Sequence, residues 1–344
     1  MYIDDIKKAS QANLPWFALC GKNILVTGAT GLIGSAIVDI LMNRENLDFK
    51  VYALGRNIKR AKTLFSKYLE SENFEFIQHD ISEPITLNID FHYVIHAASG
   101  ANPIVYSTDP VGVMKANFYG VDNLLQYGLT HNLEKFVFVS SGDVYGEGDG
   151  RVFTEEYSGY VDILSVRSCY TSSKRAAETL CISYMNQHNV KVSIARPCHT
   201  YGPKFTETDS RAYAQFILNV LDGKDIVLKS TGEQFRSWCY VVDCALGILY
   251  VLLKGANGEA YNIADTDSNV SIKQLAEMIA EAGNKKVVFD MPSDMEKRGF
   301  NPVSKSCFDT TKLCDLGWKP SLSIKENIVN TIKERMQNEN KSTS

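Results

Sequence analysis

The chain has 344 residues, 44% of them hydrophobic and 22% charged, an ordinary globular composition with enough length for a large domain and a smaller one. Its 36 basic and 40 acidic side chains leave a formal charge of -4, which gives no reason to expect a nucleic-acid partner. The eight cysteines contain no CxxC pair and no apolar run reaches bilayer length. Neither a zinc site nor a membrane span is therefore expected, and the chain reads as cytoplasmic with reduced thiols.

In chain order, Lys22 to Thr27 is a short apolar run ending in glycine-rich sequence, the pattern of a buried strand. Leu32 to Met42 follows with helical spacing. Further strands are expected at Lys50 to Leu54, Phe74 to Gln78, Tyr93 to His96, Phe136 to Ser140 and Val190 to Arg196. Helices are expected around Ile58 to Leu69, Val111 to Thr130 and Tyr170 to His188. This alternation predicts βαβ units and an α/β fold, a Rossmann-type doubly wound parallel sheet covered on both faces. After Pro197 the rhythm changes. Helices near Ala212 to Leu221 and Val242 to Leu253, strands at Ile226 to Leu228 and Arg236 to Val241, and helices starting near Ser271 and Ile324 suggest a smaller mixed domain. The division expected is residues 1–197 for dinucleotide binding and 198–344 mainly for substrate, with segments of the second interleaving into the first.

Gly28-Ala29-Thr30-Gly31-Leu32-Ile33-Gly34 lies between the first strand and the first helix. Gly28, Gly31 and Gly34 there permit a tight turn and close backbone approach to a pyrophosphate. The helix start at Leu32 and Ile33 supplies N–H groups and a positive dipole end. The bland alternative is a glycine-rich turn without a ligand. The second strand ends in Gly55-Arg56, with Lys59, Arg60 and Lys62 behind it, where an NAD site usually carries an acid. Arg56 favours a 2′-phosphate, hence NADP over NAD, against the alternative of a solvated basic helix. Asp80 and Ile81, after the third strand, suit contact with an adenine amino group.

Tyr170 and Lys174 form a YxxxK pair, whose spacing puts both side chains on one helix face. The ammonium is then placed to lower the phenol pKa and to hold a ribose. Ser141, after the strand ending at Val139, completes a Ser-Tyr-Lys trio able to work on a reacting oxygen.

TGATGLIG, VIHAAS, KANFYG, SSGDVYG, CYTSSKRAAE and ARPCHTYGP occur in the order seen in extended short-chain dehydrogenases, and the chain resembles that family over nearly its whole length. Within the family it is most similar to UDP-glucuronate decarboxylases, in the run RSCYTSSKRAAETLCISYMNQHNVKVSIARPCHTYGP, in Lys115-Ala116-Asn117 and in Gln234 to Val241. The resemblance implies an NAD(P) enzyme acting on a nucleotide-diphosphate sugar through a 4-keto intermediate, by decarboxylation or epimerisation with a recycled cofactor. It implies that Tyr170 takes a proton from the sugar 4-hydroxyl and that Ala97 and Asn117 belong to the cofactor site. It also implies that Arg236 binds the diphosphate, with Lys115, Arg211 and Arg298 on the substrate side, although each arginine can equally be a surface charge. Gly142 and Asp143 stand where the family's dehydratases carry an Asp-Glu pair, which argues against removal of a 6-hydroxyl. Asp143 is one methylene shorter than the decarboxylase glutamate, and remains a candidate acid/base. His199 replaces a frequent asparagine, as a sugar contact or as a loop histidine bonded to backbone. The competing expectations are a net NADPH-dependent reductase of a 4-keto sugar, and a catalytically inactive NADP sensor. A homodimer is expected through the two helices at 111–130 and 170–188, with Val121, Leu124, Leu125, Ile182 and Met185 as apolar contacts.

Overall fold

The computed structural model describes residues 1–290 and 305–342. Helix α1 (Tyr2–Ser10) precedes an alternating run of β1 (Asn23–Thr27), α2 (Leu32–Met42), β2 (Lys50–Gly55), α3 (Ile58–Leu64), β3 (Phe74–Gln78) and β4 (Tyr93–His96). Then come α4 (Pro103–Thr108), α5 (Pro110–Gly128), β5 (Lys135–Val139), α6 (Ser168–His188) and β6 (Val192–Pro197). The remainder holds β7 (His199–Tyr201), α7 (Ala212–Leu221), β8 (Ile226–Leu228), β9 (Phe235–Tyr240), α8 (Val241–Lys254), β10 (Ala260–Ile263) and β11 (Asp265–Ser271). It ends with α9 (Ile272–Ala282), β12 (Val287–Phe289), β13 (Lys305–Ser306), α10 (Thr311–Asp315) and α11 (Ile324–Ser342).

Seven strands form one sheet in the order β10-β6-β5-β4-β1-β2-β3, each neighbouring pair parallel. The strand order reverses between β1 and β4. In such a sheet ligands bind outside the carboxyl ends of the strands at that reversal. Ile24, Leu25 and Val26 are fully buried, as a strand covered on both faces requires. A smaller sheet joins β11, β9 and β13, with β7 also on β9, beside the carboxyl edge of the large one. The chain thus has the Rossmann-type doubly wound fold with a smaller mixed sheet, as its sequence predicts.

Several elements differ from the sequence reading. The helix expected over Ile58 to Leu69 ends at Leu64. Helix α1 and strand β10 carried too little pattern to be expected; β10 is recruited to the edge of the large sheet by pairing with β6. Helix α8 packs on α2, so sequence beyond residue 197 covers the nucleotide-side face. Helix α5 starts where Asp109 caps the Gly112 N–H at 3.0 Å and Pro110 occupies the first turn. Helix α6 ends at Asn189 in the left-handed conformation, φ 57°.

The expected dimer contacts need correction. Val121, Leu124 and Leu125 are buried in the chain's own core, where they pack against Leu25, Phe136 and Phe138 under the sheet. Ile182 and Met185 are half-buried against the same cluster. The apolar side chains that α5 turns outward are Val111, Met114, Phe118 and Tyr119. A helix covering a sheet must spend its apolar stripe on that sheet first, which is why the more regular apolar positions point inward.

Asp39 on α2 is fully buried and gathers four side chains from three segments. Tyr2 and Tyr68 donate their hydroxyls at 2.7 and 3.0 Å, and the ammonium groups of Lys204 and Lys67 lie beside the carboxylate. A buried carboxylate left without partners costs several kcal/mol, about 3–5 when a pair is broken, so this group pins α1 and the segment after β7 to α2. No helix among the described residues is long and apolar enough to cross a membrane.

Candidate functional site

The glycine-rich loop follows β1 at the strand reversal. Gly28 has φ +63°, and a Cβ on it would lie 2.6 Å from the backbone of Ala97 and Ala98 after β4. A Cβ at Gly34 would lie 2.3 Å from the Gly28 carbonyl oxygen. Both positions therefore need glycine, the first for its backbone angle and the second for close approach. Gly31 is the N-cap of α2 and no side chain caps the first turn. The first N–H groups at Leu32 and Ile33 thus belong to a bare helix start. This cradle fits a pyrophosphate, which is what a dinucleotide cofactor would place there.

Around it, Arg56 is 77% exposed at the end of β2, with its guanidinium 3.6 Å from the Asp80 carboxylate. Asp80 also accepts from the backbone and hydroxyl of Ser82 at 3.0 and 2.8 Å. The Ile81 side chain is buried in the core, and its carbonyl accepts from Asn123 at 2.9 Å. Arg60 is not free for a phosphate: Nε donates to the Thr30 carbonyl at 2.9 Å and Nη2 to the Lys204 carbonyl at 3.1 Å.

A cavity of about 500 Å³ opens at the ends of β4, β5 and β6. Ile33 and Ala97 line it on the loop side. Ser141, Asp143, Tyr170, Lys174, His199, Arg211 and Arg236 all face it. Strand β5 delivers Ser141, whose Oγ accepts from the Asp143 N–H at 3.1 Å and caps a short 3₁₀ turn. Helix α6 delivers Tyr170 and Lys174 one turn apart. Lys174 is 1% exposed; its Nζ donates to the Val139 carbonyl at 2.8 Å and lies 4.5 Å from the Phe138 ring. Burial brings this ammonium down to about 7.

The phenol behaves differently from the expectation based on spacing. Burial pushes the Tyr170 pKa above its ordinary value and the nearby Asp143 raises it further, while the Ser141 hydroxyl and the charge of Arg211 pull it back. Lys174 is not a leading influence in this state, because the ammonium is turned to Val139 and sits 5.8 Å from the Tyr170 ring. Asp143 is itself raised by burial, with Arg167 and Arg236 opposing. His199 is held neutral, at about 3, by burial and by the neighbouring arginines. Its Nε2 faces the Arg236 Nη1 at 2.9 Å, and since an arginine cannot accept, that nitrogen is the acceptor.

Not every expected residue reaches the cavity. Lys115 is exposed on α5 and is not among the cavity walls, since the helix turns it to the outer face. Asn117 is fully buried and donates to Ser173 at 2.9 Å, locking α5 to the turn of α6 that bears Lys174. It positions that helix and does not line the cavity. Arg211 reaches the wall but is held in a two-pronged pair by Asp209. Arg298 lies outside the described residues.

Other wall residues escaped the sequence reading. Tyr106 of α4 stacks on Tyr170 with centroids 4.9 Å apart and planes at 24°, and the Arg167 guanidinium lies 5.9 Å from the Tyr106 ring. Phe308, just past β13, explains Gly142: a Cβ there would be 2.0 Å from the Phe308 Cζ. An acid at 142 has no room beside that ring. Only the fold brings position 308 to β5, so no local signal in the sequence marks it. Of these, Arg167 alone stands beside a motif, three residues before the YxxxK pair.

Lys174 generates a pH prediction. Its folded pKa, about 7, lies below the ordinary 10.5, so the folded state binds fewer protons between those values and stability rises with pH across that window. Lys174→Met should stabilise the cofactor-free protein at neutral pH and flatten that rise. Urea unfolding of both proteins at neutral pH and at about pH 9 checks it; parallel pH dependence in the two would show that the ammonium is not desolvated.

Comparison with known proteins agrees with this geometry. Residues 24–264 match the model of the NAD dependent epimerase/dehydratase family. UDP-glucuronic acid decarboxylase 5 of Arabidopsis thaliana is 34% identical over 318 residues, covering 91% of this chain and 89% of the relative. UDP-glucuronic acid decarboxylase 1 of Xenopus tropicalis is 32% identical, covering 90% and 71%. Among solved structures, UDP-glucose 4-epimerase of Thermotoga maritima, determined with UDP-glucose, superposes with a TM-score of 0.76 at 24% identity, over 92% of this chain and 99% of that one. With the glycine cradle, the strand order and the family match all in agreement, the chain belongs to the NAD dependent epimerase/dehydratase family and is a nucleotide-sugar enzyme of that kind.

Proposed function

We propose that the protein converts a nucleoside-diphosphate sugar through a 4-keto intermediate, as a decarboxylase or an epimerase that recycles its cofactor. The observation that carries this reading is the convergence of Ser141, Tyr170 and Lys174 with Asp143, Arg167 and Arg236 on one cavity beside the glycine cradle. Bound in that cradle, NAD(P) would supply reversible hydride-transfer chemistry. Tyr170 takes the proton of the sugar 4-hydroxyl. As a base it relies on the neighbouring Ser141 hydroxyl and on Lys174 being protonated. Asp143, raised by burial, serves as the second acid/base near the sugar. Arg236 and Arg211 hold the diphosphate, and Arg167 offers charge for a further anionic group. UDP-glucuronic acid is the first candidate, because the relatives named above are decarboxylases of that sugar and its carboxylate suits the Arg167 guanidinium. The steric conflict between Phe308 and any side chain at 142 speaks against water loss at carbon 6.

Mass spectrometry of a panel of UDP- and dTDP-sugars incubated with enzyme and NAD(P) tests the reading. Loss of carbon dioxide or an unchanged mass with a new epimer supports it; net gain of hydride overturns it. Tyr170→Phe should lower turnover about 100- to 10,000-fold while leaving cofactor binding near that of the wild type. Retention of most activity would mean that another group moves the proton.

For the cofactor we propose NADP over NAD, because the exposed Arg56 stands where a 2′-phosphate would lie. Its pair with Asp80 is a surface contact worth about 0–1 kcal/mol, whereas a charge-assisted bond to phosphate is worth about 1.5–3 kcal/mol, so the phosphate should win. Arg56→Ala should weaken NADP binding by about one to two decades and leave NAD binding nearly unchanged. Calorimetric titration with both cofactors decides; equal losses, or a wild type that prefers NAD, would reverse the assignment.

We also propose that a second copy of the chain covers the outward face of α5. Val111, Met114, Phe118 and Tyr119 give that face an apolar stripe, and Ile163, Leu164 and Val166 expose further apolar surface just before α6. Sedimentation should show a dimer at micromolar concentration and a monomer for Phe118→Asp; a monomeric wild type would rule the pairing out.

A further inference from the structure

Arg60 occupies an unusual place between two loops with different tasks. It rises from the first turn of α3 and is half-buried, and among the described residues no carboxylate forms an ion pair with it. Its guanidinium is satisfied by two backbone carbonyls instead. One is that of Thr30 inside the glycine-rich loop, at 2.9 Å from Nε; the other is that of Lys204, at 3.1 Å from Nη2. Thr30 sits in the cradle proposed for the cofactor pyrophosphate. Lys204 sits in the segment that leaves the cavity wall at His199 and returns to it at Arg211.

That segment has anchors of several kinds: at its far end Asn102, the N-cap of α4, donates to the Thr208 carbonyl at 3.3 Å and accepts from the Ser210 hydroxyl at 2.6 Å. The Lys204 ammonium pairs with buried Asp39 on α2 and lies 4.8 Å from the Tyr2 ring. The next carbonyl, that of Phe205, accepts from Arg335 of α11 at 3.4 Å. Gly202 passes close to the start of α2, where an added Cβ would be 3.8 Å from Leu32 Cδ1 and 2.3 Å from Val241 Cγ1. Beyond Phe205 the chain reaches Asp209, whose carboxylate holds Arg211 in place at the wall. Of these anchors, Arg60 alone among the described residues touches the glycine-rich loop and the substrate-side segment with one rigid group.

We infer that Arg60 is a positioning residue that couples occupancy of the glycine-rich loop to the order of the segment Lys204 to Arg211. The planar guanidinium fixes the separation of the two carbonyls, so settling the loop around a pyrophosphate also settles the segment that carries Arg211. Coupling is reciprocal, so a nucleotide sugar held by that segment would in turn tighten cofactor binding. This rests on the cofactor reading of the glycine loop, and it assigns Arg60 a structural link in place of contact with the 2′-phosphate.

Hydrogen exchange measured on the full chain, with and without saturating NAD or NADP, tests the link without needing the sugar. In the wild type NAD should slow amide exchange at Gly28 to Leu32, and also at Lys204 to Arg211 by about fivefold or more, the low end of ordinary coupling between sites. In Arg60→Met the slowing at Gly28 to Leu32 should remain and that at Lys204 to Arg211 should vanish. Arg60→Lys keeps the charge, but a single nitrogen does not span both carbonyls, so it should lose the second effect as well; this variant serves if the methionine protein fails to fold. NAD-dependent slowing at Lys204 to Arg211 that persists in a folded variant, or that is missing from a wild type protected at Gly28 to Leu32, overturns the coupling. A wild type in which neither NAD nor NADP slows exchange at Gly28 to Leu32 overturns the cofactor reading as well.

Discussion

The close contact between Gly34 and the Gly28 carbonyl is the constraint on which the rest of the site depends. With no side chain at 34, α2 starts directly against the end of β1, and its uncapped N–H groups point over the strand reversal. The left-handed turn at Gly28 leaves room for the backbone at Ala97 and Ala98, so β4 ends beside the same cradle. A methyl group at either glycine would push one of these three backbones away. The anion site, the start of α2 and the near wall of the cavity would then separate together.

Opposite this cradle the protein tolerates a costly arrangement. Lys174 is almost fully buried, with a backbone carbonyl and an aromatic ring as its neighbours and no carboxylate bonded to it. Tyr170 beside it is buried and stacked on Tyr106, with Asp143 disfavouring its ionisation. Burial shifts all three groups toward their neutral forms. Such perturbation gathers where chemistry is done, and here all three groups face one cavity.

The same cavity limits the chemistry. Phe308 fills the space that a side chain at 142 would take, so β5 presents Ser141 and Asp143 without an acid between them. Arg236 is engaged by His199 and Gln234, and Arg211 by Asp209. These arginines are pre-oriented by polar neighbours, and little side-chain entropy remains to be lost when an anion arrives.

Much of this was legible from sequence because it depends on short-range rules. The alternation of strands and helices, the glycine spacing after β1 and the four-residue step from Tyr170 to Lys174 are all periodicities within a few residues. They predicted the fold, the cradle and the pair on one helix face. The direction of the Lys174 ammonium, the stacking of Tyr106, the capture of Arg211 by Asp209 and the distance of Lys115 from the cavity follow from how separate elements pack. So does the burial of Val121, Leu124 and Leu125, whose apolar pattern reads the same whether a sheet or a second chain covers it. Phe308 and Arg60 are clearest of all. Each acts on residues far away in sequence, at 142 and at 30 and 204, and only the packed tertiary structure brings those positions together.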